Sequence, residues 1–370
     1  MKHVFCLVAL FSLTTQIAQA QARNVILFLG DACGIPTLNV ASIYRYGEPQ
    51  KLFVQHMPYI ALMDTSTADV WVTDSAAGMT AIVTGQKTKN GIISQSATAV
   101  RGKQDGEILQ TILEHAEQRG LSTGVLSNMN ITDATTAACF AHSNDRRAAG
   151  PIFAQVFTPR FGDGVDVVIG AGRDLVLAAT EKIGVRVESA AREKGYAFYD
   201  SLQAISEQDT RVIALFNTHD FDVWQATERA IRALSKNQKG YFLMVEWDAH
   251  TDNLKRGLKQ TIELDDAIRK TADFVKSDTL IIFAADHSFD IRLRGGKRSE
   301  PLLAEDKGSA PPTAQAVPNV RVDDGHTGEE VLVAAQGPGA ERVRGFIANT
   351  DLFHIMMAAF GWETWPKTTR

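Results

Sequence analysis

Cysteine is scarce: three occur in 370 residues, and one of them, Cys6, lies in an apolar leading segment. That excludes a disulfide-built scaffold, so the core has to come from apolar burial, which a chain of this length can supply. Cys33 and Cys139 can pair or stay free, and their spacing does not decide between the two. Past residue 20 no apolar run reaches membrane length, so no membrane span is expected. No block of basic residues is present and the net charge is −5, which gives no nucleic-acid groove.

What is present begins with "MKHVFCLVALFSLTTQIAQA". A lysine at position 2 precedes an apolar stretch that ends in small residues, the layout of a signal peptide over 1–20. Ser12, Thr14, Thr15 and Gln16 interrupt the apolar stretch and argue against an anchor. Cys6 sits inside the stretch rather than at its end, which argues against a lipid attachment there. The expectation is export, periplasmic or extracellular, with residues 21–370 forming a single domain of slightly more acidic charge.

Short apolar runs read as buried strands: 24–30, 122–128, 166–172, 241–247, 279–287 and 330–337. Helical patterns fall between them, as at 106–120 and 222–240. This alternation predicts an α/β fold with a mostly parallel central sheet and helices on both faces. Residues 294–322, rich in Pro, Gly, Ser and charge, read as an exposed loop or small cap. "IGAGRD" at 169–174 lacks the full spacing of a nucleotide fingerprint and reads as a tight turn.

In such sheets ligands sit at the carboxyl ends of strands. Asp31 follows the first run; Glu246, Asp248, His250 and Asp252 follow 241–245; Asp286 and His287 close 279–287; His326 precedes 330–337. Carboxylates with imidazoles suit zinc, and all-oxygen sets suit magnesium or calcium. In "EWDAHTDN" an extended chain would point Glu246, Asp248, His250 and Asp252 to one side, whereas a turn would bring Glu246 to His250. "TDATTAACFAHSNDRR" adds Asp133, Thr135 and a guanidinium at Arg146 or Arg147, a planar fork able to grip phosphate oxygens. "TDSAAGMTAIVTG" at 73–85 sets Ser75 at a helix start with no base close in sequence. Asp74 or Ser75 there is either a plain N-cap or the neighbourhood of a nucleophile activated by a metal.

Taken together, these motifs resemble the alkaline phosphatase family from about residue 24 to the C-terminus. The resemblance implies that family's three-layer sandwich with a reduced cap, two zinc ions and a magnesium ion. It puts Ser75 in the role of nucleophile, Asp31 in that of a bridging carboxylate, and Asp133 and Thr135 on magnesium, with Arg146 gripping phosphate. "ADHS" supplies Asp286 and His287 to one zinc, and "HTGEEVLVAAQGPGA" supplies His326 to the other.

The departure is "EWDAH", which compresses three family ligands into five residues. By its distance to "ELDDAI", His250 is the zinc histidine. Glu246 is then either the zinc carboxylate or the magnesium ligand with Asp248 on zinc, and Asp252 is held in reserve. The function implied is an exported phosphomonoesterase with an alkaline optimum, a phosphoserine intermediate and small phosphate monoesters as substrates. A phosphodiesterase or sulfatase-like hydrolase on the same scaffold and a non-catalytic phosphate binder are the alternatives. Monomer and homodimer are both open.

Overall fold

A computed structural model describes residues 21–303 and 319–363. The leading segment 1–20 and the middle of the 294–322 stretch lie outside the described residues.

Among the described residues twelve strands are formed: β1 (Asn24–Asp31), β2 (Tyr59–Asp64), β3 (Ser122–Asn130), β4 (Val167–Ala171), β5 (Ala197–Tyr199), β6 (Val212–Phe216), β7 (Tyr241–Asp248), β8 (Thr279–Ala284), β9 (Ser288–Leu293), β10 (Val320–Thr327), β11 (Val331–Gln336) and β12 (Gly345–Ala348). Ten of them make one sheet in the order β12-β2-β11-β8-β1-β7-β3-β4-β6-β5, and β9 with β10 make a separate ribbon. Within the large sheet β11 runs antiparallel to both its neighbours and the remaining pairings are parallel. The mostly parallel sheet expected from the sequence is the one formed.

β1, β7 and β8 are buried along their whole length, as strands covered on both faces must be. Two groups of helices supply the cover. Ser75–Thr84, Ile112–Gln118, Ala134–Phe140 and Asp351–Ala359 pack among themselves on one side. Ile35–Tyr46, Val223–Leu234 and Leu254–Phe274 pack on the other. Val223–Leu234 shows why such a segment coils: Asp222 caps its start by accepting the Gln225 N–H, and Val223, Thr227, Ala230 and Leu234 form one buried stripe.

Several expectations change at the boundaries. The pattern over 106–120 is helical only from Ile112, because Thr111 and Glu114 form a capping box that starts the helix there. β8 stops at Ala284, so Asp286 and His287 stand on the connection beyond it. The described end of 294–322 enters β10, whose partner is β9 rather than the main sheet. "IGAGRD" is a turn between β4 and the helix Arg173–Glu181, with Gly172 at φ +87°. Cys33 and Cys139 are free and buried.

One buried acid opposes the alkaline conditions the sequence suggests. Glu117, 4% exposed, accepts a hydrogen bond from Thr123 Oγ1 at 2.5 Å. Burial pushes its carboxyl up to about 8, and Asp166 and Asp163 add to the effect. A carboxyl raised in the folded state stabilises most below its unfolded value of 4.5, and that contribution is lost as pH rises through about 8. Glu117→Gln keeps the acceptor for Thr123 and removes the charge. Its gain in stability should grow by roughly 2 kcal/mol between about pH 6 and about pH 9.5. Denaturant melts at the two pH values check this; an equal gain at both contradicts it.

Candidate active site

The four central strands β8, β1, β7 and β3 end side by side, and the polar residues cluster there. Register places Asp31 opposite Asp248, and Glu246 opposite both Leu29 and Ser127. β7 is extended through Asp248, so Glu246 and Asp248 share a side of the strand and the chain turns only afterwards. After β1 the backbone reverses sharply at Ala32, which takes φ +63°, a costly conformation for a residue with a Cβ. Ala32 N–H then points to Asp286 Oδ1 at 3.4 Å, tying the end of β1 to the connection after β8.

Ser75 is the first residue of the helix Ser75–Thr84, and Asp74 is its N-cap. Asp74 Oδ1 accepts the Ala77 N–H at 3.0 Å, while its Oδ2 accepts from the Gly91 N–H at 2.8 Å and from Arg146 Nη1 at 3.1 Å. Asp74 is therefore the N-cap, and Ser75, the first residue of the helix, faces the cluster. Gly78 lets the helix close on the β8 connection, since a Cβ there would stand 3.0 Å from the Asp286 carbonyl. Ser75 Oγ lies 3.4 Å from His287 Nε2.

Two groups of ligand atoms converge among the described residues, each within 4.8 Å: His250 with His287 and His326, and Asp31 with Asp286 and His287. The tautomers follow from the outer contacts. His287 Nδ1–H donates to the Ser288 carbonyl at 3.1 Å, and His326 Nδ1–H to the Thr73 carbonyl at 3.0 Å. Each ring thus turns an unprotonated Nε2 inward. Burial keeps His287 neutral, with its pKa pushed down to about 4. Its Nε2 faces Asp31 Oδ1 at 3.3 Å and Asp286 Oδ2 at 3.6 Å. All three atoms are acceptors, and neither carboxylate oxygen has a hydrogen-bond partner. Lone pairs gathered this closely repel unless a cation sits among them. The residues fit a metal ion of the zinc type.

A second, all-oxygen set adjoins the first. The Glu246 carboxylate is 1% exposed, and among the described residues only the hydroxyls of Ser127 and Thr135 are placed to donate to it. Thr135 and Asp133 lie around Glu246, whose pKa is raised well above 4.5 by burial and by the charge of Asp31. Burial also raises Asp133, against the pull of Arg146 and His219. Oxygen ligands alone suit a hard cation such as magnesium.

Asp248 has different company. Its Oδ1 accepts from His250 N–H at 3.0 Å and from His250 Nδ1 at 2.9 Å, and its own N–H donates to Asn128 Oδ1 at 2.9 Å. Burial opposes a charged His250 ring, but Asp31 and Asp248 outweigh it and raise the ring to about 9. Asp252 points away and pairs with Arg256 at 3.0 Å. Sequence reasoning missed Asn128 and the second role of Asp74. Asp74 adjoins Ser75 in the motif and Asn128 closes the run 122–128, so both stand where a signal was present, although an amide is not a carboxylate or imidazole ligand.

The fold and this constellation define an α/β protein with a candidate metal centre at its strand ends, and comparison with known proteins narrows the class. Residues 22–310 match the alkaline phosphatase family, and the chain belongs to that family. It is 29% identical to an alkaline phosphatase of Escherichia fergusonii, over 95% of this chain and 89% of that one. It is 28% identical to alkaline phosphatase 4 of Bacillus subtilis, over 91% of this chain and 88% of that one. Among solved structures, a variant of the alkaline phosphatase of the Antarctic bacterium TAB5, with Mg bound in its M3 site, superposes with a TM-score of 0.77. It is 23% identical and covers 94% of this chain and 100% of that one.

The crowding of acceptors has a consequence for stability. In chelator at about pH 8, Asp286→Asn should be more stable than the parent by roughly 1–3 kcal/mol, since it keeps the acceptor for the Ala32 and His287 N–H groups and loses a buried charge. Adding zinc should stabilise the parent more than the variant, which keeps the His250, His287 and His326 group but loses a carboxylate from the other. Thermal melts with and without metal decide the point; a variant less stable than the parent in chelator contradicts it.

Proposed function

We propose that this chain is an exported, metal-dependent phosphomonoesterase, a single catalytic domain over 21–370 behind a signal peptide at 1–20, and that Ser75 is its nucleophile. The observation that carries the reading is the inward-facing set of Asp31, Asp286 and His287, whose acceptor atoms suit a cation, with Ser75 Oγ 3.4 Å from His287 Nε2. Asp31, Asp286 and His287 would hold one zinc ion. His250 and His326 would hold a second, with Asp248 fixing the His250 ring through Nδ1 or adding its free oxygen. Asp133, Thr135 and Glu246 would hold magnesium, the ion named for the TAB5 variant. Bound zinc supplies Lewis acidity that lowers the pKa of the serine hydroxyl and stabilises the departing alkoxide.

The protein's own groups do the rest. Ser75 stands at a helix N-terminus, where backbone N–H groups favour an incoming phosphate. Its Oγ forms a bond to phosphorus as the bond to the ester oxygen breaks, leaving a phosphoserine and an alcohol; water then releases phosphate and restores the serine. Arg146, held at Nη1 by Asp74, presents its guanidinium fork to the oxygens of the transferred group. A terminal phosphate has the free oxygens this fork needs, and a diester has fewer.

The test is hydrolysis of an aryl phosphate monoester and the matching diester by chelator-stripped protein, before and after adding zinc, magnesium or both. Zinc should restore turnover that favours the monoester, and magnesium should add to it. Ser75→Ala should cut kcat by on the order of 10³-fold or more while still binding inorganic phosphate. Preference for the diester, or a Ser75→Ala variant as active as the parent, would falsify the assignment.

A further inference from the structure

Beside the start of the Ser75 helix lies a cavity of about 490 Å3, lined in part by Asp74, Asp133, Arg101, Arg146 and Arg147. Three guanidinium groups on one wall exceed what gripping a single phosphoryl group requires. Arg146 is committed to Asp74 and, in the reading above, to the transferred phosphate. Arg147 has an exposed side chain that no carboxylate bonds among the described residues. Arg101 pairs through Nε with Asp145 Oδ1 at 3.3 Å and is 40% exposed.

The two outer arginines are built in rather than stray. Asp145 Oδ1 also accepts the Arg147 backbone N–H at 3.1 Å, so one carboxylate fixes both segments. Gly102 N–H donates to the Asn144 carbonyl at 3.1 Å, clamping the Arg101 turn onto the same loop. Arg101 lies flat against Gly91, where a Cβ would stand 2.6 Å from its Nε, and Gly91 has φ +80°. Gly91 in turn accepts the Arg146 N–H at 3.0 Å and donates to Asp74. The wall carrying Arg101 and Arg147 is therefore tied directly to the residues that hold the phosphate-gripping Arg146. Of the lining carboxylates, Asp74 is already bonded to Arg146, and Asp133 is assigned above to a cation.

We propose that this cavity is a leaving-group subsite for a second phosphate, and that the preferred substrates are small bisphosphorylated molecules: phosphate monoesters whose alcohol bears another phosphate. This rests on the phosphomonoesterase reading. Arg101 and Arg147 bind the remote phosphate with charge-assisted hydrogen bonds while Ser75 takes the near one. Because both side chains are solvent-exposed, the effect is moderate and weakens with salt.

The experiment uses the metal-loaded full chain and α,ω-alkanediol bisphosphates of increasing length, each against the alkanediol monophosphate of the same length. After halving for the two equivalent ends, kcat/KM should favour the bisphosphate by roughly tenfold at one chain length, chiefly through KM, and the preference should fade at high ionic strength. In Arg147→Gln the ratio should fall several-fold, and in Arg101→Gln/Arg147→Gln it should approach one. Equal turnover of both partners by the parent, or an undiminished preference in the double variant, overturns the subsite alone. No turnover of either partner under any metal condition overturns the phosphatase reading and the subsite with it.

Discussion

Everything at the strand ends depends on one electrostatic constraint: negative charge and lone pairs are buried together without enough protons to satisfy them. Asp31, Asp286 and Glu246 are each 5% exposed or less, and burial raises all three. Hydrogen bonds among the described residues relieve this little: Asp31 Oδ1 and Asp286 Oδ2 have no donor, and Glu246 has only the Ser127 and Thr135 hydroxyls. Arg146 and His250 bring positive charge nearby, and their pull on Asp31 falls short of the cost of burial. Leaving a buried carboxylate unpaired costs several kcal/mol, so three concentrated in one place call for compensating positive charge.

The scaffold serves that concentration. Parallel strands covered on both faces end at the same level, and β8, β1, β7 and β3 therefore deliver their ends to one place. The rigid outer contacts decide which atoms face inward: main-chain carbonyls take the Nδ1 protons of His287 and His326, and Asp248 takes that of His250. Asp74 links two parts of the cluster, capping the helix that carries Ser75 and holding Arg146. The strained Ala32 turn belongs to the same design, since it brings β1 to Asp286.

Much of this was legible in the sequence because it rests on local signals. Continuous apolar runs marked β1, β7 and β8, and polar residues directly behind them marked Asp31, Asp286 and His287. Other parts are set by tertiary contacts that no local pattern carries. β9 and β10 lie far apart in sequence and pair only in space, which is what brings His326 over His287 with ring centroids 3.7 Å apart. β6, "VIALF", is a fully buried strand whose five-residue apolar run is too short to be told from a buried helix segment by pattern alone. "EWDAH" stayed ambiguous because spacing cannot say where a strand ends. The structure ends β7 at Asp248 and turns that residue toward His250, leaving Glu246 on the oxygen-rich side.

The central claim is that the buried acceptors are cation sites, and metal content tests it most directly. Protein purified with neither added metal nor chelator would be analysed by mass spectrometry of its elements, alongside Asp31→Asn. The account predicts about two equivalents of zinc per chain, with magnesium in addition, and a marked loss of zinc from the variant, since Asp31 adjoins both sets. A metal-free parent that takes up no zinc on incubation would contradict it.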